Sequence, residues 1–268
     1  MTGPAAARTV HRPDLVSDRL LALTRSLGRP ERELVILAEG NTSELLDDGR
    51  IAVKASGSSM ESATKDDFVV VDVAALSGLL TDPKATQADL TAALDVGDVD
   101  GKRRRGSIEA LVHVAVQAVS PAPAASRFIG HTHPTAVVGL LASIHAADAY
   151  DRLVYSDEAV VIGKPLFVPY AQPGIELGRV FHQALSRRVD ETGELPALVL
   201  LGNHGIVATA PTAEGVDGIS AMAVKGARVR IAAYSAGGLA PLSNEAVAKF
   251  FARVDVAERR SNISQGTW

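Results

Sequence analysis

The chain contains no cysteine, which excludes disulfides, thiolate zinc fingers, iron–sulfur clusters and cysteine nucleophiles. Any metal it binds must sit on nitrogen and oxygen ligands. Aromatic residues are scarce, at 4%, too few for a surface built to stack bases. The formal net charge of -4 gives no general electrostatic case for nucleic acid or an anionic membrane. No stretch approaches the roughly 20 apolar residues that span a bilayer, and residues 1–13 lack the apolar core of a signal peptide. A soluble cytoplasmic protein is the expectation. Internal repeats and low-complexity linkers are missing too, as is a strand followed by Gly-x-Gly-x-x-Gly, which argues against dinucleotide redox chemistry.

What the 268 residues do hold, at 47% hydrophobic content, is material for a sizeable core. Residues 1–13 read as a flexible leader and 14–268 as a single domain. Asp14 is placed to cap a helix that runs to Leu27 and stops at Gly28. Asp47-Asp48-Gly49 signals a hairpin ahead of a strand at 50–55, with a further strand at 68–73. Helices follow near 74–80 and 85–94, and the run Lys102-Arg103-Arg104-Arg105 reads as a solvated loop. Ser107 then caps an apolar helix over 108–119. A strand at 127–130 leads into His131, followed by a helix over 135–147, strands near Val160 and Phe167, and a helix over 175–190. A strand at 197–201 precedes His204, a helix covers 213–235, and one last helix over 243–260 ends in a polar tail. Interleaved helices and hairpin-linked strands predict an α/β fold with an antiparallel or mixed sheet covered by helices.

Chemistry enters at His131-Thr132-His133-Pro134. Positions i and i+2 of a strand share a face, with alpha carbons about 6.6 Å apart, so both imidazoles are able to converge on one ion. His204, in Gly202-Asn203-His204-Gly205 at the end of another strand, supplies a third nitrogen, and three protein ligands with one open position describe a catalytic zinc site. A lone histidine in an apolar setting is more often a hydrogen-bonded core residue, which is how His204 would read by itself; His113, which could share the face of Glu109, is read as structural because three better candidates are present. Glu109 opens an otherwise apolar helix, where the helix dipole alone would favour a carboxylate. Beside zinc it could ligate the resting metal and then move protons. An anion cradle is expected from Gly40-Asn41-Thr42-Ser43, from Lys54-Ala55-Ser56-Gly57-Ser58-Ser59 and from Ser107, although such clusters also make ordinary turns and Lys54 could be a strand-edge residue.

In order and spacing these motifs resemble the class II aldolase/adducin family, together with Tyr170-Ala171-Gln172-Pro173-Gly174 and Asn203-His204-Gly205. The resemblance spans residues 35 to 220. It implies a three-layer α/β/α fold with a central, largely antiparallel sheet, assembled as a homotetramer with active sites between subunits. It implies His131, His133 and His204 as zinc ligands and Glu109 as the acid/base carboxylate. It also implies Asn41, Ser56, Gly57 and Ser107 as the phosphate cradle, with Lys54 matching the lysine of the sugar-phosphate epimerase branch. One departure is Ile108, where many phosphosugar-acting members carry a second serine, a loss of about 1–3 kcal/mol of hydrogen bonding to a charged acceptor. The family's proton-donating tyrosine from a neighbouring subunit has no evident counterpart after Tyr234.

The activity this implies is zinc-dependent retro-aldol cleavage of a ketose phosphate, or of a related hydroxy-ketone, through an enediolate. Alternatives of the same resemblance are a pentulose-phosphate 4-epimerase, an oxo-tetronate-phosphate decarboxylase and a dehydratase. The epimerase branch usually has aspartate where this chain has Glu109, which tilts the reading towards aldolase. A non-catalytic scaffold, like the head domain of adducin, predicts degraded ligands, whereas all three histidines and the glutamate are in place.

Overall fold

The computed structural model of the chain describes residues 9–264. In chain order, β1 (Thr9–Val10) is followed by α1 (Asp18–Leu27), β2 (Asn41–Leu45), β3 (Arg50–Lys54), β4 (Phe68–Asp72), α2 (Val73–Thr81), α3 (Gln87–Leu94), β5 (Asp95–Val99), β6 (Lys102–Arg105) and α4 (Ala110–Val119). Then come β7 (Phe128–Thr132), α5 (Thr135–Leu141), α6 (Ser156–Ile162), β8 (Leu166–Val168), α7 (Ile175–Thr192), β9 (Leu198–Leu201), β10 (Gly205–Ala210), α8 (Ala213–Ser235), α9 (Asn244–Phe251) and α10 (Val254–Ser264).

Eight strands form one mixed sheet in the order β1-β4-β3-β2-β7-β10-β9-β8. Every neighbouring pair is antiparallel except β8–β9. Successive side chains of a strand point to opposite faces, and the apolar residues sort accordingly. Phe128, Ile206 and Ala52 pack with Leu20, Leu140 and Val216 from α1, α5 and α8. Ile129, Val207 and Val53 pack with Leu76, Leu111 and Phe181 from α2, α4 and α7. Strands buried on both faces read as continuous apolar runs, which is why 198–201 and 68–71 were recognisable as strands. Among the described residues, no helix is long and apolar enough to cross a membrane.

Several expectations need correction. The leader over 1–13 is only partly within view: residues 1–8 lie outside the described residues, as does the end of the polar tail at 265–268. Thr9 and Val10, however, pair with Val71 and Val70 on the sheet edge, and Thr9 Oγ1 donates to Ala93 O at 2.7 Å. Asp14 does not cap α1. Pro13 opens a short 3₁₀ turn instead, and Ser17 Oγ accepts the Leu20 N–H at 3.0 Å. The basic run at 102–105 is a strand, β6, paired with β5 and pinned by two Arg103 to Asp95 bonds of 3.1 and 2.6 Å. The helix expected over 135–147 ends at Leu141, whose carbonyl is taken by Asn203 N at 3.2 Å.

Val160 lies in a helix, α6, not a strand. Its β-branched run favours a strand locally, but Asp157 and Glu158 sit in the first turn, where carboxylates suit the helix dipole. Glu158 is also held in the core by Arg230 of α8. The last predicted helix is two helices, α9 and α10, broken near an Arg253–Asp255 ion pair of 2.7 Å.

Candidate metal centre and anion cradle

His131 leaves β7 fully buried, with Nδ1 donating to Ile206 O at 2.9 Å. That bond assigns the tautomer from its partner and leaves Nε2 as the nitrogen that faces the site. His133 follows on the same side, and its Nε2 comes within 3.1 Å of His131 Nε2. Backbone bonds from His133 N to Leu34 O and from Thr135 N to Glu33 O, 2.8 and 3.0 Å, hold the strand exit.

The third imidazole comes from the start of the strand adjacent to β7. His204 sits in the tight β9–β10 turn, and β10 separates β9 from β7 in the sheet. Asn203 supplies the left-handed residue at φ 52°, and Gly205 lets the backbone pass: a Cβ there would lie 2.4 Å from Thr132 O and 2.8 Å from His133 Cδ2. The three ring centroids form a nearly equilateral triangle with sides of 4.8, 5.0 and 4.9 Å.

Glu109 closes the cluster from α4. Glu109 occupies the N-cap position but makes no side-chain capping bond, while Ser107 Oγ, rather than capping a helix from 108, takes the Glu109 N–H at 3.3 Å. Its carboxylate oxygens lie 3.2 Å from His131 Nε2 and 2.9 Å from His204 Nε2. Burial by itself would raise the Glu109 carboxyl, but the charges and hydrogen bonds of His131 and His204 outweigh it and hold the group well below the usual carboxylate range. Burial would likewise lower His131, yet the Glu109 charge and hydrogen bond raise it, while burial and the charge on His131 push His133 down to about 3.

The four groups fit a divalent cation. One ligand atom from each of Glu109, His131, His133 and His204 lies within 4.8 Å of the others. Two imidazole nitrogens meeting head-on beside a carboxylate are stabilised by positive charge between them, and an N₃O set without thiolate suits zinc or a comparable first-row ion. The Nδ1 atom of His204 is buried with no hydrogen-bond partner, so its ring orientation is set by packing and by what Nε2 binds. Glu39 was not anticipated from the sequence. Its carboxylate lies 3.7 Å from His133 Nδ1 and accepts the Ile36 N–H at 3.1 Å. Its place two residues ahead of Asn41 was the available signal.

The expected cradle is gathered in part. Asn41, buried on β2, donates through Nδ2 to Ser107 Oγ at 3.2 Å and Glu109 Oε2 at 3.5 Å. Ser56 and Gly57 form an exposed turn after β3, with Gly57 at φ +85° and open space where a Cβ would stand. The Ser56 N–H is committed to Arg105 O at 3.1 Å, leaving its hydroxyl as a donor. Lys54 is not brought into contact with these groups. It leaves β3 on the face opposite Val53 and Ala55, is 1% exposed, and turns its ammonium to Ala55 O at 3.2 Å. Burial lowers its pKa to about 8 against the opposing charges of Asp67 and Glu109.

With this geometry in view, comparison with known proteins is decisive for family. The profile of the Class II Aldolase and Adducin N-terminal domain matches residues 18–231. The chain belongs to this family. Among solved structures, class II aldolase relatives share the fold: YgbL from Klebsiella pneumoniae is 20% identical, covering 86% of this chain and 95% of its own at a TM-score of 0.63. An aldolase II superfamily protein from Pseudomonas syringae is 18% identical over 93% of each chain, TM-score 0.62. The L-fuculose-1-phosphate aldolase of Thermus thermophilus is 19% identical over 82% of this chain and 99% of its own, TM-score 0.56. No curated protein sequence is similar enough to match. Class II aldolase membership, together with the Glu/His cluster, supports a divalent-metal-dependent enzyme of aldolase or epimerase type.

Proposed function

We propose that the protein is a zinc-dependent aldehyde-lyase that cleaves a ketose phosphate, or a related hydroxy-ketone, into two carbonyl fragments. The observation that carries this reading is Glu109: a carboxylate with no capping task, set between His131 and His204 at 3.2 and 2.9 Å. His131, His133 and His204 are the metal ligands. A divalent ion held there would supply positive charge to the carbonyl and neighbouring hydroxyl oxygens of the substrate as the carbon–carbon bond breaks.

Cleavage removes a proton from the hydroxyl on the departing carbon and returns one to the carbon that keeps the electron pair. Glu109 serves the second transfer. On moving away from the two imidazoles it loses the contacts that lower its pKa and keeps the burial that raises it, as acid/base work near neutral pH requires. Asn41 and Ser107 offer donors to the anionic end of the substrate, with the Ser56–Gly57 turn beside them. Lys54 contributes charge at a distance. Assembly as a homotetramer belongs to the same reading, and exposed Ile36, Leu37 and Ile144 on the loops flanking the histidines are in keeping with it.

Elemental analysis of the purified protein, followed by a screen of ketose 1-phosphates for aldehyde release, tests the proposal. Near-stoichiometric zinc and one cleaved substrate are expected. Failure to hold any divalent metal after zinc is supplied would overturn it.

A further inference from the structure

His113 lies one turn beyond Glu109 on α4 and is wholly buried. Both ring nitrogens are engaged: Nδ1 is 2.7 Å from Ser43 Oγ, and Nε2 meets Asn41 Oδ1. Burial, with the charge on His131, pushes its pKa down to about 3, so the ring is neutral at neutral pH and carries one N–H. Asn41 Oδ1 can only accept, which places that proton on Nε2 and makes Nδ1 the acceptor of the Ser43 hydroxyl.

The two faces of the Asn41 amide are therefore distinguished. Its oxygen takes the His113 proton, and its NH₂ points to Ser107 Oγ and Glu109 Oε2 at 3.2 and 3.5 Å. A flipped amide would set its oxygen against the Glu109 carboxylate, and His113 would have to carry its proton on Nδ1 with Ser43 as the acceptor, so Glu109 selects the orientation and the His113 bond holds the amide oxygen in it.

We propose that His113 is a positioning residue: through the chain Ser43, His113, Asn41 it locks the Asn41 amide with its NH₂ turned towards Glu109 and Ser107, so that fixed donors face the anionic part of the site. The role rests on the reading of Asn41 and Glu109 given above. Its value is preorganisation, because a donor already aimed need not reorient when negative charge arrives. Val112 and Val114, its neighbours on α4, are buried and apolar, so a residue there for packing alone could be a leucine.

The chain has four asparagines, at 41, 203, 244 and 262, so side-chain ¹⁵N labelling of asparagine gives a sparse spectrum, and Asn41→Asp identifies the Asn41 pair. In His113→Leu and in Ser43→Ala, exchange of the Asn41 NH₂ protons with water should quicken about tenfold and the pair should shift, as for loss of one hydrogen bond. His113→Gln, which keeps a donor near the Nε2 position, should restore slow exchange, with zinc stoichiometry unchanged throughout. An unaltered Asn41 pair in His113→Leu, or a His113→Gln protein that behaves like His113→Leu, makes His113 core filling and ends the proposal. If His113→Leu does not fold, Ser43→Ala decides, since it removes one hydroxyl. A wild-type protein that binds no zinc would defeat the lyase reading while the amide exchange still reports on the relay.

Discussion

Asn41 and His131 stand directly opposite each other across the antiparallel β2–β7 pair. This register brings the donor side chain of one strand and an imidazole of the Glu/His cluster on the other to the same face, above α4 and Glu109. A slip of one residue would turn Asn41 to the α1 face and dismantle both. Gly40, at φ +68°, allows β2 to approach: a Cβ there would lie 2.8 Å from His131 O.

Replacing Asn41 by alanine should therefore be felt in stability as well as in binding. The His113 Nε2–H and Ser107 lose a partner in a buried setting, at a cost of about 1–3 kcal/mol. Urea denaturation of Asn41→Ala checks this, and an unchanged midpoint would contradict the bonding described.

Glu109→Gln keeps the shape and removes the charge. Zinc should remain bound through the three imidazoles, while turnover falls by about 10²–10⁴-fold, the range for loss of a positioned acid/base group. Retained turnover would remove Glu109 from the proton transfer.

Metal binding should stabilise the fold. With zinc at about 100 times its dissociation constant, the gain is about 2.7 kcal/mol, and thermal unfolding with and without chelator measures it. His131→Ala should show neither the bound metal nor the zinc-dependent rise in Tm.

Lys54 predicts a pH dependence whose sign follows from its depressed pKa of about 8 against an ordinary 10.5. Between those values the unfolded chain holds a proton that the folded chain has released, so this group makes stability rise with pH across that window, by about 3 kcal/mol in all. Below pH 8 the buried ammonium is a standing cost. Inorganic phosphate should bind more weakly above pH 8 as the charge is lost. Lys54→Met should flatten both profiles relative to wild type in denaturation and calorimetric titrations.

Arg230 and Glu158 form an ion pair with both side chains at 0% exposure. The guanidinium also bonds to the carbonyls of Ala149, Arg152 and Gly226 and lies 3.9 Å over the Tyr150 ring. Arg230→Ala leaves a buried carboxylate unpaired and should cost about 3–5 kcal/mol. Adding Glu158→Leu should recover a large part of that loss, as read by a double-mutant cycle in denaturant.

The site was legible where chemistry is local. The spacing of His131 and His133 forces a shared face on any strand, His204 stood out at the end of an apolar segment, and Glu109 at the opening of an apolar helix. What misled was also local: the β-branched residues around Val160 favour a strand, and the like charges at 102–105 suggest a loop. Val160 lies in a helix whose Glu158 pairs with Arg230, 72 positions later, and 102–105 is extended through its backbone pairing with β5. His113 read as structural, which was right about its burial and silent about its bonds to Ser43 and Asn41.

By itself the sequence determined the ligand chemistry, since a chain without cysteine but with a His-x-His strand end can hold a metal only on nitrogen and oxygen. It also determined the continuous apolar runs, at 68–71 and 198–201, that call for helices on both faces of the sheet. Tertiary structure alone decided that β10 is inserted between β7 and β9, so that His204 reaches the site from a turn. It decided as well that Lys54 is buried with its ammonium on Ala55 O, and that Asn41 lies opposite His131. Those facts depend on strand order and register, which arise from non-local pairing and the burial of whole faces, quantities that no short window of sequence contains.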